Sequence, residues 1–303
     1  MNDLNLVEKI EKLKKKRNAV ILAHNYQLPE VQDIADFVGD SLELAQISAK
    51  TDAEVVVLCG VYFMAETAAI TNPKKKILIP DATAGCPMAD MIDARKVREL
   101  KKQYPDATVV CYVNSTIEVK AESDICCTSS NALKVIESLK DHRQIIFVPD
   151  KYLGSFLSLS SDKEFILANG YCPTHAKISP RLIDELKVKY KNAEVLVHGE
   201  CAPEVKEKAD KILSTGQMCN YVKNSSKKDF IIGTEIEMLY RLRKENPEKN
   251  LIQASPLAIC PDMKKNNLEK ILNVLENMKN EVKVDEKVRL KARKCIDRML
   301  LVK

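Results

Sequence analysis

Three cysteines, each followed directly by a proline, lie at nearly equal intervals along the chain. Cys172 follows Cys86 by 86 positions, and Cys260 follows Cys172 by 88. Three thiolates without a fourth equivalent suit zinc with an open coordination position, or a 4Fe-4S cluster in which one iron lacks a protein ligand. His175, three residues after Cys172, could complete a zinc site. The competing interpretation is that all three are buried structural thiols, as the remaining cysteines are expected to be.

Polar residues recur at steps of 88 and 86 positions and form a second candidate set. One group ends predicted strands, at His24, Tyr112 and His198, and a second follows two residues later, at Tyr26, Asn114 and Glu200. A third group opens predicted helices, at Ser41, Ser129 and Thr215. Such histidines are often only satisfied core residues, and such hydroxyls are often only helix N-caps. The matched positions favour a binding site, because free N–H groups at helix starts bind carboxylates and phosphates. Tyr26 and Glu200 are the candidates for proton transfer.

The elements that must position these residues also repeat. An amphipathic helix precedes a short β-rich strand three times, and these strands are predicted to begin at Ala19, Ala107 and Ala193. Three more strands follow in each repeat, separated by helical patterns, which is typical of βαβ units and a parallel sheet. Ligands of open parallel sheets bind at the carboxyl ends of the strands. The sequence therefore predicts three similar three-layer α/β/α units with four-stranded parallel sheets, whose strand ends surround one cavity.

The repeat also predicts the domain organisation. The first unit is expected to span residues 1–86, the second 87–172 and the third 173–261. The segment after Cys260 begins a helical pattern again with no strand to follow it. The C-terminal helices within 262–303 are therefore expected to pack back on the first unit. A helix after Thr215 is predicted to be shorter than the one after Ser41.

Composition excludes several classes of protein. The 303 residues are 45% apolar, which is ample for buried cores, and no apolar run approaches the roughly 20 residues of a membrane span. Ten cysteines without any C-x-x-C pair argue against a disulfide framework. The chain has no Trp and only 5% aromatic residues, which disfavours a stacking platform for nucleic acid. We expect a cytoplasmic protein that binds neither membrane nor nucleic acid, with lysine runs such as residues 74–76 on a solvated face.

A set of ordered motifs resembles the quinolinate synthase (NadA) family, from about residue 5 to 300. The motifs are AHNYQ at 23–27, GDSLELA at 39–45, AETA at 65–68, ATAGCPMADM at 82–91, YVNST at 112–116, CTSSNA at 127–132, GYCPTH at 170–175, HGEC at 198–201, ST at 214–215, GTE at 233–235 and CPDM at 260–263. The resemblance implies three α/β units about a pseudo-threefold axis. It also implies that iminoaspartate (iminosuccinate) and dihydroxyacetone phosphate condense to quinolinate, with release of phosphate and water, in NAD biosynthesis.

The resemblance further implies roles for individual residues. The ligands of one oxygen-sensitive 4Fe-4S cluster, whose fourth iron acts as a Lewis acid, are expected to be Cys86, Cys172 and Cys260. The expected substrate contacts are His24, Ser41, Tyr112, Asn114, Ser129, His175, His198, Glu200 and Thr215. The acid/base positions are Tyr26 and Glu200, with His24 counted among the catalytic groups. An L-aspartate oxidase could hand over the unstable imine.

Two departures from the family and two alternative functions stay open at this point. Gly199 stands where the family usually has Pro, and Cys295 stands alone where some members carry a C-x-x-C pair. One alternative is a zinc-dependent lyase or hydrolase that uses Cys172 and His175. The other is a non-catalytic carrier or sensor of an iron–sulfur cluster, although ligands from three separate units and a polar catalytic set argue against it.

Overall fold

The computed structural model describes residues 3–302, and it contains three sheets of four parallel strands each. The first sheet consists of β1 Ala19–His24, β2 Phe37–Gly39, β3 Val55–Cys59 and β4 Lys76–Leu78. The second consists of β5 Thr108–Tyr112, β6 Ile125–Cys127, β7 Gln144–Val148 and β8 Glu164–Leu167. The third consists of β9 Glu194–Val197, β10 Lys211–Ile212, β11 Asp229–Gly233 and β12 Asn250–Gln253. In every sheet the second strand is at the edge, followed by the first, third and fourth.

Helices connect the strands and cover the sheets. Those around the first sheet are α1 Asp3–Lys16, α2 Pro29–Ile34, α3 Ser41–Lys50 and α4 Tyr62–Thr71. Those around the second are α5 Ala94–Gln103, α6 Ile117–Ala121, α7 Ala132–Ser138 and α8 Lys151–Leu159. Those around the third are α9 Pro180–Lys189, α10 Pro203–Lys206, α11 Thr215–Asn224 and α12 Met238–Glu245. Two helices, α13 Leu268–Asn277 and α14 Glu286–Leu301, complete the chain. The predicted class of three α/β units with parallel sheets is confirmed.

The central strands are apolar on both faces, as strands covered by helices on each side must be. All five residues of β3 and of β5 are buried. An aspartate just before the second strand sets the register in every unit. Its carboxylate accepts the amide N–H of a first-strand residue at 2.8 Å, in the pairs Asp36–Ile21, Asp124–Val109 and Asp210–Val195. These aspartates repeat at the same steps as the candidate site residues.

One lysine in each unit holds the end of the helix after the second strand. Lys75 donates to the carbonyls of Ser48 and Thr51 at the end of α3. The equivalent donors are Lys163, to Leu139 and His142, and Lys249, to Val222 and Ser225. A cation is favourable there because the carbonyls at a helix C-terminus lack intrahelical partners. The prediction that the lysine run 74–76 is a solvated face is therefore wrong for Lys75.

A buried side chain of each unit crosses to the neighbouring unit. Gln32 Nε2 donates to the carbonyl of Glu237 in the third unit, at 3.3 Å. Lys120 Nζ donates to Thr67 Oγ1 in the first unit at 3.1 Å, and Lys206 Nζ donates to the carbonyl of Tyr152 in the second. Because buried donors must be paired, these contacts fix how the units meet around the cavity.

The two C-terminal helices pack on different units. Ile271 and Leu275 of α13 join Leu6 and Ile10 of α1 in the core beside the first sheet. By contrast, Ile296 and Met299 of α14 lie in the core of the second unit, and the helix touches the first unit through α4. The expectation that both helices pack on the first unit holds for α13, whereas α14 lies mainly on α6 and β6.

Several boundaries differ slightly from the sequence prediction. The strands β5 and β9 begin one residue later than expected, and His198 follows β9 rather than ending it. The helix α11 is as long as α3, with ten residues each, so the prediction of a shorter helix is wrong. The unit boundaries at 86, 172 and 261 stay a prediction. Within residues 3–302, no helix combines the length and apolar character that a membrane crossing requires.

Candidate functional site

The carboxyl ends of β1, β5 and β9 open onto one cavity of about 1020 Å³, counting the part that is open to solvent. The cavity lies where the topology of each sheet predicts ligand binding, at the strand ends. The structure brings every candidate residue to its wall: His24, Tyr26, Ser41, Cys86, Tyr112, Asn114, Ser129, Cys172, His175, His198, Glu200, Thr215 and Cys260. The individual roles that the resemblance implies for them stay predictions.

The three candidate cysteines differ from the others in exposure and surroundings. Cys86, Cys172 and Cys260 are half-buried, whereas the other seven cysteines are fully buried. Each begins a turn that leads into a short 3-10 helix, at Ala89–Met91, His175–Lys177 and Met263–Lys265. The backbone N–H of the first residue of that helix donates to the preceding cysteine sulfur in all three cases.

These hydrogen bonds prepare the sulfurs for a negatively charged state. Burial raises the pKa of Cys86, Cys172 and Cys260, and the amide donor of each turn opposes that rise. N–H donors to sulfur are also among the features that tune iron–sulfur clusters. Three soft thiol donors that share one cavity and each accept an amide N–H fit the ligand set of a cluster with three cysteine ligands.

A second donor set overlaps the first. The ligand atoms of Cys172, His175 and Glu200 lie within 4.8 Å of one another and could hold a metal ion. His175 Nδ1 is 3.2 Å from Cys172 Sγ and 3.0 Å from Glu200 Oε2. This mixed set matches the ligand types of zinc, so the geometry keeps the zinc alternative open.

The two strand-end histidines are held in the same orientation. Nδ1 of His24 accepts the amide N–H of Tyr26 at 3.2 Å, and Nδ1 of His198 accepts that of Glu200 at 3.3 Å. Burial lowers the pKa of both rings to about 4, so they are neutral near pH 7. A neutral ring whose Nδ1 accepts carries its proton on Nε2. Each histidine therefore presents a neutral donor, and Nε2 of His198 lies 3.2 Å from Ser129 Oγ.

Glu200 is a buried carboxylate surrounded by donors. It accepts from Tyr112 Oη at 2.6 Å and from Asn114 Nδ2 at 3.2 Å, while His175 Nδ1 lies 3.0 Å from its other oxygen. Burial alone would raise its pKa, but His175, His198 and the hydrogen bond from Tyr112 bring the pKa of Glu200 below its ordinary value. The group is therefore ionised and able to accept a proton.

Tyr26 has the opposite character. Burial and the nearby charge of Glu200 raise the pKa of its phenol well above the ordinary value, so it keeps its proton. Its Oη lies 2.5 Å from Thr234 Oγ1, and that hydroxyl also lies 2.9 Å from His175 Nε2. Sequence reasoning missed Thr234, although it is part of the GTE motif at 233–235.

The helix starts beside the cavity are capped by neighbours of the predicted residues. Asp40 caps α3 and Ser214 caps α11, each in a capping box, and Asn131 precedes α7. The interpretation of Ser41, Ser129 and Thr215 as N-caps is therefore wrong. Because the preceding side chain already bonds the free amides in α3 and α11, the hydroxyl-bearing residues Ser41 and Thr215 are left at the cavity wall.

Three parallel α/β units that close around a cavity with thiols, neutral donors and one ionised carboxylate form the active site of an enzyme. Comparison with known proteins agrees with this class. Residues 8–301 match the model of the family described as "Quinolinate synthetase A protein". The chain belongs to this family, as the sequence motifs predicted.

Named relatives cover almost the whole chain. The quinolinate synthase of Dehalococcoides mccartyi (strain CBDB1) is 58% identical over 294 residues, which are 97% of both chains. That of Alkaliphilus metalliredigens (strain QYMF) is 50% identical over 304 residues, covering both chains fully. Quinolinate synthase 1 of Methanosarcina acetivorans is 50% identical over 303 residues, which cover 100% of this chain and 99% of the relative.

Proposed function

We propose that this enzyme is a quinolinate synthase, which condenses iminoaspartate with dihydroxyacetone phosphate and releases phosphate and water in NAD biosynthesis. Family membership supports the activity. The observation that carries the proposal is the single cavity that combines three cysteine sulfurs with neutral donors, one ionised carboxylate and one protonated phenol. Each of these parts has a task in such a condensation.

Neutral donors suit the recognition of carboxylates that must later be released. Nε2–H of His24 and of His198 can each donate to a substrate oxygen, because their Nδ1 atoms are already occupied. The ten-residue helices α3 and α11 begin at the cavity with Ser41 and Thr215, whose hydroxyl groups can donate to an anionic substrate. This arrangement binds a dicarboxylate or a phosphate ester without a fixed counter-charge.

The cluster implied by the family would be held by Cys86, Cys172 and Cys260. When bound, it supplies a Lewis acid at the iron without a protein ligand, which suits the loss of a hydroxyl in the final dehydration. The turns after these cysteines hold their sulfurs through backbone N–H donors.

Glu200 and Tyr26 divide the proton chemistry between them. Glu200 is ionised and takes a proton from a substrate carbon, and the donors Tyr112 and Asn114 keep its carboxylate oriented. Tyr26 keeps its proton and donates to a substrate oxygen. Groups of opposite protonation on one cavity wall are what general acid–base catalysis needs. The imine substrate is hydrolytically unstable, so an L-aspartate oxidase that delivers it directly is the partner we propose.

Anaerobic purification followed by iron and sulfide analysis tests the cofactor, and an assay for quinolinate from freshly generated iminoaspartate and dihydroxyacetone phosphate tests the activity. We expect a brown protein with iron and sulfide near four each per chain, at about the stoichiometry of one cluster. Cys86→Ala, Cys172→Ala and Cys260→Ala should each lose iron and activity. Cys219→Ala, in the buried face of α11, is the matched control and should retain both. A colourless protein that holds only zinc would reject the cluster.

A zinc-dependent lyase or hydrolase is the second candidate, favoured by the ligand atoms of Cys172, His175 and Glu200. In that case Cys86→Ala and Cys260→Ala should keep full metal content and activity, whereas His175→Ala should lose the metal. Transfer of a cluster to an apo-acceptor without turnover of any acidic substrate would instead support a cluster carrier.

A further inference from the structure

In each unit, one backbone hydrogen bond holds the segment just before the candidate cysteine. An amide N–H that follows the third strand of the sheet donates to the carbonyl two residues before that cysteine. The three pairs are Tyr62 with Ala84 at 2.7 Å, Lys151 with Gly170 at 2.8 Å and Ile236 with Ala258 at 3.0 Å. The backbone therefore holds the three cysteine segments in the same way.

The third unit adds a side chain to this shared contact. The residue just before the amide donor is Val61 in the first unit, Asp150 in the second and Glu235 in the third. Val61 is apolar, and Asp150 caps α8. Glu235 instead accepts the amide N–H of Cys260 through Oε1, at 3.1 Å. The third cysteine is therefore held by a side chain as well as by the backbone.

The same carboxylate oxygen binds both ends of the turn that begins at Cys260. Lys264 lies in the short 3-10 helix Met263–Lys265, and its Nζ is 2.9 Å from Glu235 Oε1. Glu235 Oε2 accepts the amide N–H of Glu237 at 2.9 Å, so both oxygens of this completely buried carboxylate are paired. The turn is thus closed on a single oxygen atom.

Lys264 extends this contact to the first unit and compensates the charge of the carboxylate. Its Nζ also donates to the backbone carbonyl of Tyr26 at 2.5 Å. A buried carboxylate without a cation beside it would be unfavourable, and it would repel the thiolate form of Cys260 that a metal ligand needs. The Glu235–Lys264 pair has no net charge, so it binds the turn without adding a negative charge beside the sulfur.

We propose that Glu235 and Lys264 are positioning residues, which bind both ends of the turn that begins at Cys260 and hold its sulfur at the cavity for the cluster. This inference rests on the proposed function, because it concerns how one of the three cluster ligands is held. Without the pair, the turn would keep its backbone contact at Ala258 but lose the contacts at both of its ends.

Alkylation of the metal-free, full-length protein by iodoacetamide tests this role without the cluster, and peptide mass spectrometry measures the rate at each cysteine. Cys86, Cys172 and Cys260 are all half-buried, so the first two are internal controls for the third. Glu235→Leu removes the acceptor, and the rate at Cys260 should rise by about 10-fold, while the rates at the two controls change by less than about 2-fold. Glu235→Gln keeps an acceptor for the Cys260 amide and should raise the rate there by less than about 3-fold.

Substitution of the lysine tests the other end of the turn. Lys264→Met should also raise the rate at Cys260 by about 10-fold. The matched control is Lys244→Met, because Lys244 also joins the third unit to the first, through an exposed ion pair with Asp33 at 2.5 Å. Exposed ion pairs contribute little to stability, so this variant should react at the unsubstituted rate. In a Glu235→Leu, Lys264→Met double variant the rate should stay within about 2-fold of the faster single variant, because both substitutions open the same turn.

The seven fully buried cysteines report unfolding in the same experiment, and thermal melting is measured beside it. If a single variant melts without a cooperative transition, the double variant takes its place, since it leaves no unpaired charge in the interior. An unchanged rate at Cys260 in a folded variant would overturn the proposal. So would equal increases at Cys86, Cys172 and Cys260, equal increases in Glu235→Gln and Glu235→Leu, or a double variant whose increase is the product of the two single increases.

Iron release from the anaerobically purified enzyme separates this proposal from the proposed function. Iron and sulfide are first measured in the unsubstituted enzyme, and their absence would reject the cluster. Where the cluster is present, Glu235→Leu should release iron to a chelator about 10-fold faster than the unsubstituted enzyme, whereas Lys244→Met should release it at the unsubstituted rate. Equal rates of iron release in Glu235→Leu and the unsubstituted enzyme would reject only the role of the Glu235–Lys264 pair.

Discussion

The first and third units end their first strands in the same local structure but with different chemistry. His24 in the first unit and His198 in the third each accept the amide N–H of the residue two positions later, at 3.2 and 3.3 Å. That later residue is the phenol Tyr26 in one unit and the carboxylate Glu200 in the other. The repeated backbone thus gives His24 and His198 the same orientation as Nε2–H donors. The residue two positions later differs, so the first unit contributes a phenol and the third a carboxylate.

In the second unit, the side chains at the same two positions contact a residue of the third unit. These positions hold Tyr112 and Asn114, where the first unit has His24 and Tyr26 and the third has His198 and Glu200. Both Tyr112 and Asn114 donate to Glu200 across the cavity. In the proposed mechanism, one strand end therefore carries the base, one orients that base, and one carries the acid. A symmetric scaffold has become an asymmetric site through substitutions at equivalent positions.

The largest effect is expected when the carboxylate of Glu200 is removed. Glu200→Gln keeps the shape and loses the proton acceptor, so kcat should fall by about 10³- to 10⁴-fold, near the upper range for a general base. The matched control is Glu194→Gln at the start of β9, where the carboxylate accepts from Tyr221 Oη away from the cavity. Steady-state turnover measures both. Substantial turnover by Glu200→Gln would remove Glu200 from the role of base.

A smaller effect is expected in the first unit. Tyr26→Phe removes a donor but leaves the base in place, and we expect kcat to fall by about 10²-fold. The control is Tyr221→Phe, which removes a hydroxyl that donates to Glu194 away from the cavity, and it should behave as the unsubstituted enzyme. If Tyr26→Phe lost as much as Glu200→Gln, the two positions would act on one proton rather than on two.

The two histidines should respond to pH as equivalents, even though their neighbours differ. Burial lowers the pKa of each from 6.5 to about 4, so below pH 6.5 the unfolded chain binds more protons than the folded one. The free energy of unfolding should therefore fall as the pH is lowered through this window, by about 1.4 kcal/mol per pH unit for each histidine. Above pH 6.5 neither ring contributes a slope.

Urea unfolding between pH 7 and pH 4.5 measures this dependence. The slope of a His24→Gln, His198→Gln variant between about pH 6.5 and 4 should differ from that of the unsubstituted protein by about 1.4 kcal/mol per pH unit for each ring. Glu66 and Asp150, whose pKa values burial raises to about 7 and about 8, give a slope of the opposite sign in this window, but both proteins contain them. The lowered pKa of Glu200 changes the free energy of unfolding only below the ordinary pKa of a glutamate. Its contribution therefore lies outside most of this pH window. A slope that the double substitution leaves unchanged would show that the rings are charged or solvated in the folded protein.

The repeat explains why so much of the site could be predicted from one sequence. Cys86, Cys172 and Cys260, like the strand-end residues, stand at matched positions, and equivalent positions in parallel units meet at one place in space. Thr234 could not be found in this way, because the equivalent positions hold Gly60 and Val148 and so carry no hydroxyl. Only the assembled cavity brings it to Tyr26 and His175.

Other misses have local physical reasons. The N-caps lie one residue before Ser41 and Thr215, because both Asp40 and Ser214 can reach the free amides at the helix start. Either residue of such a polar pair fits the pattern. The position of α14 depends on which apolar surface is still uncovered after the three units have closed, and no local pattern in residues 286–301 contains that information.

The smallest expected effect concerns Gly199, which forms the turn between His198 and Glu200 in the third unit. Gly199 separates His198 from Glu200, where Asn25 separates His24 from Tyr26. No glycine among residues 3–302 has a positive φ, so alanine can adopt the backbone of Gly199 without strain. Its Cβ would lie 3.0 Å from Leu153 Cδ1, the movable end of a side chain.

We therefore expect Gly199→Ala to raise the free energy of unfolding by about 0.5 kcal/mol, because it lowers the conformational entropy of the unfolded chain. Gly154→Ala in α8 is the contrast, since its Cβ would come within 2.6 Å of Leu167 Cδ2 and 2.8 Å of Phe147 Cδ1. Overpacking of that kind should destabilise by about 1 to 3 kcal/mol. Urea unfolding compares the two variants. If Gly199→Ala destabilised the protein as Gly154→Ala does, the turn before Glu200 would need the freedom of glycine, and the third unit would differ from the first in its backbone as well as in its side chains.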